Sequence, residues 1–175
     1  LASITIISIF KDIHKLDKNI FYDHKITVGR GDIVKVKLFK KNLYLVDESY
    51  NSNPLSLKSA LKNFDMIKVD NSKKHLVLGD MLELGKYSKK LHMEIGKSIN
   101  KTSLKNINVI GEHIKWVFSK LNKSKKGIFI KKKSQIIDLI KNNLNNNDYL
   151  MIKGSNSTGL NILTNQIKTG KIDAI

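Results

Sequence analysis

Two patterns of apolar residues, one typical of strands and one typical of helices, alternate along most of the chain. Short apolar runs predict a buried strand at residues 75–79 and further strands at residues 107–111, 127–130 and 148–152. Between these runs, apolar residues recur every three or four positions, which is the spacing of amphipathic helices. The helical stripes start at Leu57, Leu91, Ile114, Ile136 and Leu160. A strand followed by a helix at this spacing predicts βαβ units, and therefore an α/β fold with a mostly parallel sheet and helices on both faces.

The first 46 residues do not share this alternation. Residues 1–10, LASITIISIF, predict a buried helix, and residues 33–39 and 43–46 predict two short strands. We therefore expect residues 1–46 to be the end of a preceding domain and residues 47–175 to form the α/β domain. The opening segment lacks a basic start and is shorter than the ~20 residues that span a bilayer, so we expect a cytoplasmic protein without membrane insertion.

The composition is strongly basic, with a formal net charge of +17 and 32 Lys plus Arg against 15 Asp plus Glu. Such a charge suggests nucleic-acid binding. However, Arg30 is the only arginine, whereas base readout and bidentate phosphate binding depend on arginine. The densest basic stretch, residues 123–133, has a single aromatic residue, Phe129, and base-stacking surfaces need several. We interpret the lysines as a solvated surface and expect no nucleic-acid partner. The absence of cysteine excludes disulfides, thiolate catalysis and Cys-based zinc sites.

Polar and glycine-rich loops follow the predicted strands on one side only. They read DESYNSNP (47–54), GDMLELG (79–85), GEH (111–113) and KGSNSTG (153–159). Ligands of open α/β sheets bind beyond the carboxyl ends of the strands, which is where all of these loops fall. The connections at the opposite ends are mostly Lys and Asn. This difference between the two ends of the strands predicts that a ligand binds at the carboxyl edge of the sheet.

The first loop contains more polar residues than a turn requires. Asn53 can cap the helix that follows, and Pro54 suits its first turn. A carboxylate at the end of a strand, such as Glu48, can accept hydrogen bonds from a ribose. Arg30 lies between two glycines, and it predicts either a forked contact to a phosphate or carboxylate, or an exposed turn.

Two other loops contain residues that could bind a ligand or take part in catalysis. Each of them also has a purely structural interpretation. Asp80 and Glu83, with His92 further on, suggest a metal site or an acid–base pair, but their spacing favours helix capping and a surface histidine. Lys153 and Ser155 stand at a predicted helix start, where backbone N–H groups suit an anion. Taken alone, the loop KGSNSTG favours a helix cap by Ser or Thr together with a glycine turn. Its residues do not follow the order of a Walker A phosphate-binding loop.

Three of these loops, DESYNSNP, LGDMLELG and KGS, resemble in sequence and order the signatures of the Mur ligase family. LGDMLELG is the most specific of the three. The resemblance covers essentially the whole chain. It implies the end of a P-loop-type central ATP-binding domain followed by a C-terminal Rossmann-like domain.

The resemblance implies an ATP- and Mg²⁺-dependent ligase of peptidoglycan synthesis, working as a monomer. Its substrates would be UDP-N-acetylmuramoyl-tripeptide and D-alanyl-D-alanine, joined through an acyl phosphate. It also implies two groups of site residues. The nucleotide would be contacted by Arg30, Glu48, Tyr50, Asn51 and Asn53. The dipeptide and acyl end would be faced by Asp80, Glu83, Lys153 and Ser155. Most family members have Asp where Glu48 stands.

Under this resemblance, the P-loop, the Mg²⁺ ligands and the UDP-sugar domain fall before Leu1. We therefore expect a C-terminal fragment that contains no metal ligand and lacks ligase activity by itself, and we assign no catalytic residue to it. Three alternatives stay open. One is another Mur or folate-type amide ligase, which SYNSNP disfavours. The others are a basic nucleic-acid-binding α/β module and a non-catalytic Rossmann-like binding domain.

Overall fold

A six-stranded sheet with helices packed on it forms the centre of the molecule. The computed structural model describes residues 28–172 and, before them, Ile9, Asp12, Lys15, Asp17 and Asn19. The strands are β1 (Asp32–Leu38), β2 (Lys41–Glu48), β3 (Lys74–Gly79), β4 (Ile107–Ile110), β5 (Lys126–Ile130) and β6 (Tyr149–Lys153). The helices are α1 (Pro54–Asp65), α2 (Ser88–Asn100), α3 (Lys115–Lys120), α4 (Ser134–Asn143) and α5 (Leu160–Thr169).

The strand order is β1-β2-β6-β3-β4-β5. Only β1 is antiparallel, to β2, and every other neighbouring pair is parallel. This confirms the predicted α/β class and its mostly parallel sheet. The chain runs from β3 outward to β5 and then returns to place β6 on the other side of β3. The strand order therefore reverses at β6.

Each face of the sheet is covered by its own hydrophobic core, because successive residues of a strand point to opposite sides. In β3, Leu76 and Leu78 pack with the apolar stripes of α1, α2 and α3, whereas Val77 packs with those of α4 and α5. All three β3 side chains are fully buried. The prediction of helices on both faces is confirmed.

The hairpin of β1 and β2 belongs to this sheet. Residues 46 and 47 lie inside β2, which pairs along its length with β6. The sheet therefore does not divide where we expected the domain boundary. The alternation is missing here because a two-residue turn, Phe39–Lys40 with φ of 48° and 62°, joins the strands in place of a helix.

The segment before the hairpin is mostly outside the described residues. The division into residues 1–46, as the end of a preceding domain, and residues 47–175 stays a prediction. The helix expected at residues 1–10 falls almost entirely there. Ile9, the one residue of that stretch which the structure describes, is helical and 71% exposed, so burial is not seen at that position.

Candidate functional site

The reversal of strand order creates a crevice at the carboxyl edge of the sheet. β2 and β3 are followed by α1 and α2 on one face, while β6, between them, is followed by α5 on the other. The loops leave the edge in opposite directions, and ligands of open α/β sheets bind where this happens. The topology thus brings together the loops at residues 48–54, 79–85 and 153–159.

A first cavity, of about 360 Å³, opens between the ends of β2 and β6. It is lined by Gly29, Arg30, Glu48, Tyr50, Asn51, Asn53, Ser56 and Lys153. The structure therefore brings together all five residues predicted to contact a nucleotide, and it adds Lys153 to them. We call this space the β2/β6 cleft.

A partly buried ion pair lines the β2/β6 cleft. Glu48 and Lys153 are direct neighbours in the register of the two parallel strands. Lys153 Nζ lies 3.2 Å from Glu48 Oε2 and donates to the carbonyl oxygen of Asn51 at 3.0 Å. The Lys153 side chain is only 1% exposed. Burial lowers the pKa of Lys153, and the Glu48 carboxylate opposes that effect.

A Gly-Arg-Gly turn forms one wall of the β2/β6 cleft. Gly29 and Gly31 have φ of +79° and +96°, conformations that glycine adopts without strain. Gly31 N donates to Asp47 O at 2.8 Å, and Tyr50 N donates to Gly29 O at 3.1 Å. Arg30 Cζ then lies 4.7 Å from the centre of the Tyr50 ring, in a cation–π contact. Arg30 is therefore stacked on the cleft wall.

The loop after β2 begins α1 as the sequence predicted. Asn53 caps the helix by accepting from Ser56 N at 2.8 Å, and the Ser56 hydroxyl accepts in turn from Asn53 N. Pro54 occupies the first helical turn. Asn51 Oδ1 accepts from Ser52 N at 2.7 Å. These bonds fix the backbone that lines the cleft.

Ser155 joins the three loops at one point. Its N–H donates to Asp80 O at 3.0 Å, and its hydroxyl donates to Ser52 O at 3.2 Å. The same hydroxyl accepts from Leu82 N at 2.8 Å. Ser155 is buried, so these bonds are shielded from water. Ser155 therefore holds the loops in register.

Asp80 connects the loop after β3 to the loop after β4. Its carboxylate accepts from Glu112 N at 3.0 Å and from Ile114 N at 2.6 Å, at the start of α3. A Cβ on Gly111 would lie 2.5 Å from Asp80 Oδ1, so this contact requires glycine. The predicted capping role is seen, although the capped helix is α3. Asp80 also lines a second cavity, described below.

Glu83 and His92 differ from each other in their surroundings. Glu83 is exposed, has a φ of +62° and lines neither cavity. His92 was expected at the surface but is fully buried. Its Nε2 accepts from Met81 N at 3.2 Å, and its Nδ1–H donates to Ser88 O at 2.8 Å. Burial lowers the pKa of His92, and the hydrogen bond that Nε2 accepts supports the loop after β3.

Three charged residues near this edge were not assigned to a site from the sequence. Glu112, Lys131 and Lys133 line the second cavity with Asp80. Their one sequence signal is position, since they follow β4 and β5 at the carboxyl edge. Among residues 28–172, no group of three or more His, Asp or Glu side chains is placed to hold a metal ion. In the same part of the chain, no helix has the length and apolar character needed to cross a membrane.

Comparison with known proteins gives consistent results. The family model "Mur ligase, glutamate ligase domain" matches residues 29–156. The chain is 29% identical over 150 residues to the UDP-N-acetylmuramoyl-tripeptide–D-alanyl-D-alanine ligase of Rickettsia prowazekii, covering 86% of this chain and 32% of that protein. It is 33% identical over 166 residues to the enzyme of the same name from Buchnera aphidicola, covering 84% and 33%. The chain spans about a third of the length of these relatives.

Solved structures show the same fold. A MurF ligase from Thermotoga maritima, in complex with ADP, matches with a TM-score of 0.69 and 20% identity, over 97% of this chain and 36% of that one. A MurF structure from Acinetobacter baumannii matches with a TM-score of 0.67 and 21% identity, over 84% and 32%. The fold, the matched family model and the named relatives together show that the chain belongs to the Mur ligase family and carries its glutamate ligase domain.

Proposed function

We propose that this chain is the C-terminal part of an ATP-dependent ligase that joins D-alanyl-D-alanine to UDP-N-acetylmuramoyl-tripeptide. The names of the relatives support this choice of substrates. The structural observation that carries it is the Glu48–Lys153 pair at the base of the β2/β6 cleft, with Arg30 and Tyr50 beside it. These groups match the chemistry of a nucleotide, which offers hydroxyls, an aromatic base and anionic phosphates.

In this proposal Glu48 binds the ribose. Lys153 engages Oε2, and Oε1 accepts no hydrogen bond from the described residues, so it can accept from a ligand hydroxyl. Lys153 orients the carboxylate, and Asn51 holds Lys153 through its carbonyl oxygen. The Arg30 guanidinium and the Tyr50 ring offer a cation and a flat surface at the rim of the cleft.

The proposed reaction has two steps. The tripeptide carboxylate attacks the γ-phosphorus of ATP, ADP departs and an acyl phosphate forms. The dipeptide amine then attacks the acyl carbon, loses a proton and expels phosphate. Catalysis of this kind relies on positioning and charge stabilisation. The family resemblance implies Mg²⁺, and among residues 28–172 no group of three or more His, Asp or Glu side chains is placed to hold it.

A chimera tests the proposal directly. The C-terminal third of the Rickettsia prowazekii relative would be replaced by the matching residues of this chain, and phosphate release would be measured. We expect release only when ATP, the UDP-tripeptide and D-alanyl-D-alanine are all present. We expect no release from the 175-residue chain alone. An inactive chimera would contradict the proposal if a matched chimera with the Buchnera aphidicola segment is active.

A further inference from the structure

A cluster of three charged residues ties the end of α5 to the β1–β2 hairpin. Lys168 Nζ, in the last turn of α5, lies 2.6 Å from Asp32 Oδ2 and 2.6 Å from Asp47 Oδ2. The Lys168 side chain is 14% exposed and that of Asp47 is 2% exposed, so salt and water screen this cluster only weakly. Lys168 lines neither the β2/β6 cleft nor the second cavity. Its effect on a ligand at this edge is therefore indirect.

The two carboxylates of the cluster depend on this cation. Asp32 and Asp47 are direct partners in the antiparallel register of β1 and β2. Like charges at directly opposite positions repel each other and destabilise the strand pair. Among the ion pairs of the described residues, Lys168 is the only cation that contacts either carboxylate. Burial lowers the pKa of Lys168, but hydrogen bonds to Asp32 and Asp47 and their negative charges outweigh burial, so the pKa is raised and the ammonium group stays charged.

The first carboxylate holds the Gly-Arg-Gly turn. Asp32 Oδ1 accepts from Gly29 N at 3.1 Å, while its Oδ2 contacts Lys168. Gly29 directly precedes Arg30, so this hydrogen bond fixes the backbone that carries the guanidinium. A displacement of Asp32 would therefore release the turn at Gly29.

The second carboxylate holds the loop after β2. Asp47 Oδ1 accepts from Ser49 N at 3.0 Å and from the Ser49 hydroxyl at 2.5 Å. Ser49 directly precedes Tyr50, so these bonds fix the backbone that carries the aromatic ring. Arg30 and Tyr50, which stack on each other, thus each follow a residue that is hydrogen-bonded to a carboxylate held by Lys168.

We propose that Lys168 is a positioning residue for the β2/β6 cleft: by holding Asp32 and Asp47 together, it keeps the Arg30 guanidinium stacked on Tyr50. That this stack contacts a nucleotide rests on the proposed function. Without the ammonium group the two carboxylates repel each other, the turn and the loop after β2 move apart, and the stack opens. The last helix of the domain therefore contributes to nucleotide binding without touching the ligand.

The side-chain NMR signal of Arg30 reports on the stack. Because Arg30 is the only arginine, its Nε–H group gives a single resonance in the 175-residue chain. Tyr50→Leu removes the ring and marks the position of the unstacked signal. We expect Lys168→Gln to move the resonance towards that position, whereas Lys171→Gln, which removes an exposed lysine just after α5, should leave it in place. A wild-type resonance in folded Lys168→Gln, or in Tyr50→Leu itself, would overturn the proposal.

Two further variants decide the question even if Lys168→Gln does not fold. Asp32→Ala keeps the contact between Lys168 and Asp47 but removes the acceptor of Gly29 N, so it should move the Arg30 resonance as well. In Asp32→Asn, Lys168→Gln, the opposed charges are gone and an amide oxygen remains for Gly29 N, so the resonance should lie near its wild-type position. An unmoved resonance in Asp32→Ala, or an unstacked one in the double variant, would show that the charged cluster does not hold the stack.

Kinetics of the chimera, with α5 included, test the consequence for the nucleotide. Lys168→Gln should raise the KM for ATP roughly two- to fivefold and leave the KM for D-alanyl-D-alanine unchanged. A merely structural role would lower stability without separating the two constants. If the chimera is active and Lys168→Gln changes both constants equally or neither of them, the positioning role fails and the ligase proposal stands. If the chimera is inactive but Lys168→Gln moves the Arg30 resonance, the ligase proposal fails and the positioning of Arg30 by Lys168 stands.

Discussion

Neighbouring residues at the end of β2 serve different purposes because successive side chains of an extended segment point to opposite sides. Asp47 and Ser49 point inward, where Asp47 Oδ2 lies 2.6 Å from Lys168 Nζ and the Ser49 hydroxyl lies 2.8 Å from Thr164 Oγ1. Glu48 points to the β2/β6 cleft and pairs with Lys153. The polar residues of this loop are thus divided between anchoring α5 and lining a cavity.

Arg30 offers a test at the level of a single side chain. In the chimera, Arg30→Lys keeps the positive charge but loses the planar contact with Tyr50 and the forked hydrogen-bond geometry. We expect the KM for ATP to rise roughly tenfold, which corresponds to ~1.4 kcal/mol. The reverse change at an exposed position of β1, Lys35→Arg, is the control and should have no effect. Wild-type kinetics for Arg30→Lys would exclude a specific role for the guanidinium.

His92 predicts a pH dependence of stability. Its pKa in the folded chain is lowered from 6.5, by burial first, with Ser88 and Asp80 opposing and His113 adding to the effect. Between the two pKa values the unfolded chain binds more protons than the folded one, so stability rises with pH. The folded state therefore has its full stability above pH ~6.5 and loses it as the pH falls below that value.

Urea unfolding between pH 5 and pH 8 measures this dependence. His92→Gln should flatten the acid-side loss of stability, whereas His113→Gln, at an exposed position, should retain most of it. The loss that remains in His92→Gln belongs to His75, whose pKa is also lowered by burial, against the opposing effect of Asp148. An unchanged pH slope in His92→Gln would show that this ring does not titrate as the contacts imply.

At the scale of elements, the β1–β2 hairpin is part of the domain. Val36, Leu38, Leu43 and Leu45 are buried in the same core as α4 and α5. Lys41 Nζ donates to the carbonyl oxygens of Lys141 and Leu144, at 2.7 and 2.6 Å, and so closes the end of α4. Packing and hydrogen bonds therefore both tie the hairpin to the C-terminal half.

The sequence predicted elements better than it predicted which elements belong together. Each described strand lies within two residues of an apolar run. The link is clearest in β3 and β6, which are buried along nearly their whole length, because buried strands need continuous apolar residues. The pairing of β2 with β6 involves residues more than 100 positions apart, and no local pattern encodes it. Asn53 was predicted correctly as a cap because capping is local, whereas the burial of His92 depends on a distant backbone N–H.

Two truncations test the hairpin's place in the domain. A chain that starts at residue 28 retains β1 and β2, and we expect it to unfold cooperatively. A chain that starts at residue 47 loses β1 and most of β2, which exposes the apolar side chains of β6 and α5 that they cover. We expect it to lack a cooperative transition by circular dichroism, because the lost burial amounts to several side chains at ~1.5–3 kcal/mol each. A cooperative transition at the same temperature in both chains would contradict this.

At the scale of the whole molecule, the site is a row of loops along one edge of the sheet. The reversal of strand order around β6 predicts where the row lies, and the sequence located four of its loops, those after β2, β3, β4 and β6. The lysines after β5 were interpreted as solvated because they end the densest basic stretch, residues 123–133, of a chain with a net charge of +17. Composition cannot separate a solvated lysine from one that faces a cavity.

The most direct test of the account is the KM for ATP of the Glu48→Ala chimera, measured beside its KM for D-alanyl-D-alanine. A hydrogen bond to a charged group contributes about 1.5–3 kcal/mol, so we predict a roughly 10- to 150-fold rise in the KM for ATP. The KM for the dipeptide should change far less, and Asp138→Ala, on the exposed surface of α4, should change neither value. An unchanged KM for ATP, or an equal rise in both constants, would contradict a nucleotide site in the β2/β6 cleft.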